Sequence, residues 1–231
     1  METLPTSPFS PSILRIINDA ASILSENIPH TWEGQDAIMY MKRNGCTNWR
    51  QMEWPGWYFQ FMCERLLPTV GFQIPGPGYG NVEFDGLREI PWDFKAHADQ
   101  GGTQEIVPGN GYEEVIQAIN QYGKVGFIVA RGKADYDTSG DFKRWHDEQK
   151  GETSQYELER ITRGAPSRQR KVQFHWNSLN YVIIDRVSIN YCGHFQQGMR
   201  NSNGVPRNSK ISINLNSPSL IPYIHQARII G

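Results

Sequence analysis

The sequence predicts an α/β (α+β) fold in one domain, with helices first and a β-rich, basic C-terminal third. Three observations carry this. Residues 10–27 and 54–67 hold apolar side chains at helical spacing. Residues 124–130 form a nearly continuous apolar run, the pattern of a strand buried on both faces. Residues 171–176 and 179–185 alternate like strands.

In chain order, Ser10 and Pro11 suit an N-cap and first helical position, and Ile13, Leu14, Ile16, Ile17, Ala20, Ala21, Ile23 and Leu24 follow at helical spacing. Thr31 is expected to open a second helix, with Ala37, Ile38 and Met41 inward and Asn44-Gly45 as its end. Two short helices can also be read as a helix-turn-helix, but the second is not basic. A third helix, residues 54–67, is closed by Pro68. The Gly/Pro stretch 74–80 has no Gly-Lys-Ser/Thr and reads as a turn. Ile90, Trp92 and Phe94 alternate on one face of a strand, so Asp93 and Lys95 share the other, while Asp85 arrives from the strand or turn before it. Residues 99–103 break that strand; residues 111–122 are helical, with Val115, Ile116 and Ile119 on one face. Two short helices are expected at 141–149 and 154–161, a hairpin through Asn177-Ser178, and strand pieces at 211–215 and 222–225.

At 231 residues, with 38% apolar and 12% aromatic content, the chain can bury a full core. The division expected within a single domain is N-terminal helices at 1–70, a catalytic core at 71–135 and recognition elements at 160–231. No apolar run is long enough for a membrane span, and no secretory signal is seen, so a cytoplasmic protein is expected. Cys46, Cys63 and Cys192 are widely spaced and odd in number, which favours reduced thiols over a disulfide framework or a zinc site. His146 beside Asp147 reads as a surface or packing residue and not a catalytic one, since no nucleophile pattern accompanies it.

Net charge is −1, but its distribution is uneven. Residues 1–159 carry 13 Lys and Arg against 23 Asp and Glu, whereas residues 160–231 carry 10 against one, Asp185. Such a split suits contact with a polyanion. Arg163, Ser167, Arg168, Arg170 and Lys171 surround a small-residue turn and suit phosphates. His194, Gln196, Gln197, Arg200, Asn201, Asn203, Arg207 and Lys210 form an acid-free stretch whose Gln, Asn and Arg match base edges in the major groove.

Two carboxylates and a lysine on one point suit Mg²⁺, which takes oxygen ligands and is held by one or two carboxylates plus substrate phosphate. The pattern Asp85…Asp93-x-Lys95 resembles the signature of the PD-(D/E)xK nuclease superfamily, in the form found in type II restriction endonucleases; Phe84 stands where the written motif has proline. The resemblance implies a central mixed sheet flanked by helices in αβββαβ order. It implies catalytic roles for Asp85, Asp93 and Lys95, with one or two Mg²⁺ ions on Asp85 and Asp93 and with Lys95 orienting or activating the attacking water. A helix before the hairpin often sends a glutamate to the metal, which points to Glu64 and, less well, Glu53. His97 lies two residues further along the same face. The activity implied is site-specific hydrolysis of double-stranded DNA in a bacterial cytoplasm, with a companion DNA methyltransferase and, for a palindromic site, a homodimer. The alternatives are a structure-selective repair or recombination nuclease and an inactive DNA-binding protein.

Overall fold

The computed structural model describes residues 7–80, 82–99, 106–151, 155–196, 198–199 and 208–228. In chain order these form α1 (Pro11–Asn27), β1 (Thr31–Glu33), α2 (Gly34–Arg43), α3 (Trp54–Leu66), β2 (Gly78–Tyr79), β3 (Val82–Glu83), β4 (Gly86–Arg88), β5 (Ile90–Ala98) and β6 (Ile106–Gly111). There follow α4 (Tyr112–Tyr122), β7 (Lys124–Tyr136), α5 (Asp141–Lys150), α6 (Gln155–Thr162), β8 (Lys171–Asp185), β9 (Gly193–Phe195), β10 (Lys210–Asn214) and β11 (Ile224–Arg228). The class is mixed α and β, as expected.

A six-stranded sheet runs β1-β8-β7-β5-β4, with β11 sharing the β1 edge of β8. It is mixed: β5 and β7 are parallel and the other pairs antiparallel. The parallel pair requires a crossover, and α4 supplies it. Small sheets β6-β10-β9 and β2-β3 complete the strands.

Strand alternation divides the core into two layers. Ile90, Trp92, Phe94, Ile128, Ala130, Tyr181 and Ile183 face α1, α2 and α3, with Ile17, Leu24, Trp54 and Phe59 among their partners. Val125, Phe127, Val129, Val182 and Ile184 face α4 and the β6-β10-β9 sheet, against Val115, Ile119, Ile211 and Ile213. β7 is thus buried on both faces, as its apolar run predicts. Trp92 lies flat on its strand neighbour Gly126, where an added Cβ would stand 2.3 Å from the indole. The first helix carries the expected cap, with the Ser10 hydroxyl accepting from the Ile13 N–H at 3.2 Å.

The strand expected at 222–225 starts only at Ile224, because Ile221–Tyr223 form a 3-10 turn. Two further expectations fail for local reasons. Thr31 does not open a helix: Thr31–Glu33 pairs with residues 173–175 of β8, and the helix starts at Gly34. The alternating stretches around Asn177-Ser178 are not two strands of a hairpin but one strand of 15 residues, β8. Its partner β7 shifts register between Arg131 and Gly132, which face Ser178 and Trp176, so Asn177 is the extra residue of a β-bulge. A bulge and a turn both favour such polar residues, and only pairing distinguishes them.

Candidate active site

The site is built where two strands part. β4 and β5 form a tight hairpin with Glu89 alone at the turn, at φ 61°, and they pair from Arg88–Ile90 to Gly86–Trp92. At Asp85 the chain leaves β5, and the Phe84 N–H turns to the carbonyl of Pro77. The Asp85 side chain replaces the missing rung: its Oδ2 accepts from the Phe94 N–H at 2.6 Å. Asp85 is thereby held opposite Asp93.

On β5, Asp93 and Lys95 lie on the face opposite Trp92 and Phe94, as alternation requires. The Lys95 ammonium donates to Asp93 Oδ1 at 2.7 Å; the Asp93 side chain is 2% exposed and that of Lys95 27%. Asp93 Oδ2 is buried without a hydrogen-bond partner. Burial pushes the Asp85 carboxyl well above the usual carboxylate range, and repulsion from Asp93 adds to this, against the pull of Lys95 and the Phe94 N–H. Burial opposes the charge on Lys95, but Asp93 and Asp85 outweigh it and hold the ammonium above its ordinary value. Lys95 is therefore a protonated donor at neutral pH, in contact with one of two crowded carboxylates.

Hard oxygen donors, one orphaned, with carboxylate repulsion to relieve, fit a small divalent cation. Among the described residues, no three His, Cys, Asp or Glu side chains group as a metal cage, so Asp85 and Asp93 stand as a pair. Glu64 is not brought to them: its Oε1 accepts from Gln60 Nε2 at 2.9 Å, and burial raises its carboxyl. The α3 residue that feels Asp85 is Cys63, a buried thiol pushed up by burial and then by the Asp85 charge. Glu53 pairs with Lys171. His97 shares the Asp93 and Lys95 face, and its Nε2 is buried without a partner.

The basic residues divide by environment. Arg163 and Arg168 are exposed, and Ser167 is half-buried. Arg170 is buried, with Nη1 3.4 Å from His146 Nδ1 and Nη2 3.5 Å from Asp147, so it serves packing. Lys171 is held by Glu53. His194 is exposed on β9, its ring tilted by 39° against that of Tyr112 with centroids 4.6 Å apart and its Nδ1 3.1 Å from Ser209 Oγ. Gln196 takes φ 64°, and Lys210 is exposed at the start of β10. Gln197, Arg200, Asn201, Asn203 and Arg207 lie outside the described residues.

Register adds residues that sequence reasoning missed. Lys95, Val129, Asn180 and Gln226 form one row across four strands, and His97, Arg131 and Ser178 the next. Arg131 is tied to Asp99 Oδ1 at 2.8 Å. Extending the β7 alternation two residues past Val129 would have found Arg131; Asn180 and Ser178 needed the pairing. No family model matches the chain, and neither a curated protein nor a solved structure does.

Proposed function

We propose that this chain is a sequence-specific, Mg²⁺-dependent double-stranded DNA endonuclease of the type II restriction class, built on a PD-(D/E)xK core. The observation that carries the reading is the acid pair across the parting β4–β5 hairpin, with Lys95 on the same face and in contact with Asp93. A helix, an antiparallel hairpin, a helix and a strand parallel to the hairpin follow one another as α3, β4–β5, α4 and β7, which supports the reading, although β2, β3 and β6 also stand between α3 and α4 and do not join the six-stranded sheet.

In this reading Asp85 and Asp93 hold one or two Mg²⁺ ions, which neutralise phosphate charge and lower the pKa of a bound water. The Phe94 N–H fixes the angle of the Asp85 carboxylate, so the ligand is preset by backbone. Lys95, kept protonated by its carboxylate neighbours, offers ammonium donors to a phosphate oxygen or to the attacking water. Packed Trp92 and Phe94 anchor the strand from behind. Exposed Arg163, Arg168, His194 and Lys210 are available to DNA, and a companion methyltransferase would protect host sites. A palindromic recognition site calls for a two-fold dimer.

The test is incubation of the purified protein with long plasmid or phage DNA, with Mg²⁺ and with EDTA. Discrete Mg²⁺-dependent fragments are expected, and sequencing their ends gives the site and stagger. Asp93→Ala or Lys95→Ala should each reduce cleavage at least about 100-fold while DNA retardation on a gel persists. Cleavage surviving both changes would remove this site assignment. A smear would point to a nuclease without a defined site, and a shift without cleavage to a binding protein.

A further inference from the structure

The sheet face that carries the acid pair changes character along its strands. Register sets Asp93 beside Phe127 and Val182, which pack against α4 and the β6-β10-β9 sheet. The next row is Lys95, Val129 and Asn180, and the one after it is His97, Arg131 and Ser178, so apolar side chains give way to polar ones. Lys95 and Arg131 are diagonal neighbours on this face, one strand and two residues apart, with Cα atoms about 8 Å from each other. Both side chains reach solvent, at 27% and 20% exposure. His97 adjoins them without adding charge, since burial keeps its ring neutral and Arg131 and Lys171 reinforce this against the pull of Asp99. Arg131 donates through Nε to Asp99 Oδ1 at 2.8 Å. That ion pair is not what joins Asp99 to β7, because the Asp99 N–H already donates to the Gly132 carbonyl at 2.7 Å. A partly exposed pair adds little stability. Its effect is to fix the plane of the guanidinium.

We infer that Arg131 is a substrate-binding residue that holds the DNA phosphate next to the scissile one, while Lys95 serves the scissile phosphate. This rests on the reading of Asp85, Asp93 and Lys95 as a nuclease site. A phosphodiester brought to two carboxylates meets repulsion, and the Lys95 ammonium is already engaged by one of them. In that reading the metal offsets the repulsion at the scissile phosphate. The neighbouring phosphate needs a cation of its own, and the row beyond Lys95 supplies one. Standing on different strands and in different rows, the two cations serve separate phosphates. A guanidinium forked onto a phosphate sets the register of the strand as well as attracting it. Because Asp99 holds Arg131 in advance, little side-chain freedom is lost when DNA arrives.

The test is kcat/KM for Mg²⁺-dependent cleavage by the full chain, with thermal melts as the check on folding. Arg131→Gln should lower kcat/KM about tenfold. Arg131→Lys keeps the charge and should recover part of that loss. The probes are duplexes bearing one uncharged methylphosphonate on either side of the scissile phosphate. At one of the two positions the modification should cost the wild type about tenfold and cost Arg131→Gln nothing further, because the two changes remove the same contact. If cleavage leaves a smear, so that no phosphate can be singled out, the slope of log affinity against log salt in EDTA is read instead, and Arg131→Gln should lower it by about 0.9, one contact. Losses that add at both positions, an unchanged slope, or no loss at all would overturn the inference and leave Arg131 as a tie to Asp99. If the wild type cleaves no DNA, the nuclease reading falls and this inference with it. Cleavage with additive losses sinks this inference alone.

Discussion

Asp93 has two oxygens with opposite fates: Oδ1 receives the Lys95 ammonium and Oδ2 has no partner. Facing it, Asp85 is bonded to backbone yet pushed up by burial and by its neighbour. Such a pair is a standing cost to the fold. Asp85→Asn keeps an acceptor for the Phe94 N–H and removes the repulsion. It should therefore stabilise the EDTA-treated protein by on the order of 1 kcal/mol, about 2–4 °C in Tm for a chain of this size. On the proposed reading Mg²⁺ should raise the Tm of the wild type and not that of Asp85→Asn, which thermal melts with and without the ion would reveal. Asp93 and Lys95 were legible in the sequence because strand alternation alone puts them on one face. Asp85 was legible only as a neighbour in sequence. Its geometry depends on where β4 leaves β5, which the hydrogen bonds of Phe84 and Phe94 decide.

At the level of elements, the contact between α5 and the segment 47–50 shows how a polar group is buried at little cost. His146 is fully buried, with Nε2 3.0 Å from the Trp49 carbonyl and Nδ1 facing Arg170. A neutral ring donates at Nε2 and accepts at Nδ1; a protonated ring would point a second N–H at a guanidinium. Burial first, then Lys150 and Arg170, lower its pKa to about 4. Its unfolded value is about 6.5, so below that pH the unfolded chain binds a proton that the folded chain refuses. Stability should accordingly fall as pH drops from about 6.5 towards 4 and level off below. His146→Gln, which keeps a donor, should flatten that portion of a urea-denaturation series across pH. Sequence left His146 either a surface or a packing residue, and its burial selects packing. The Asn177 bulge was not legible, because Asn-Ser between apolar runs signals a turn or a bulge equally, and the choice rests on thirteen residues of distant β7.

Across the whole molecule, the basic C-terminal third does not act as one surface. Its charge count is a property of the sequence, but burial sorts the cations into those that hold the fold and those that face outward. Arg170 belongs to the first group and Arg163 and Arg168 to the second, although the three lie within eight residues. Sequence reading grouped them because composition carries no information about which side of the chain before β8 faces α5. This yields a contrast that separates DNA contact from stability. Replacing Arg163 and Arg168 together by Ala should leave Tm nearly unchanged. It should reduce the slope of log affinity against log salt for duplex DNA by roughly two contacts at about 0.9 each. Arg170→Ala should leave that slope as it is and instead destabilise the fold by about 1–3 kcal/mol, since it strips Asp147 of a buried partner and opens space beside His146. Fluorescence anisotropy over a salt series, run with thermal melts on the same samples, distinguishes the two. A salt slope that changed with Arg170 and not with Arg163 and Arg168 would mean that DNA, if bound, approaches from the α5 side instead.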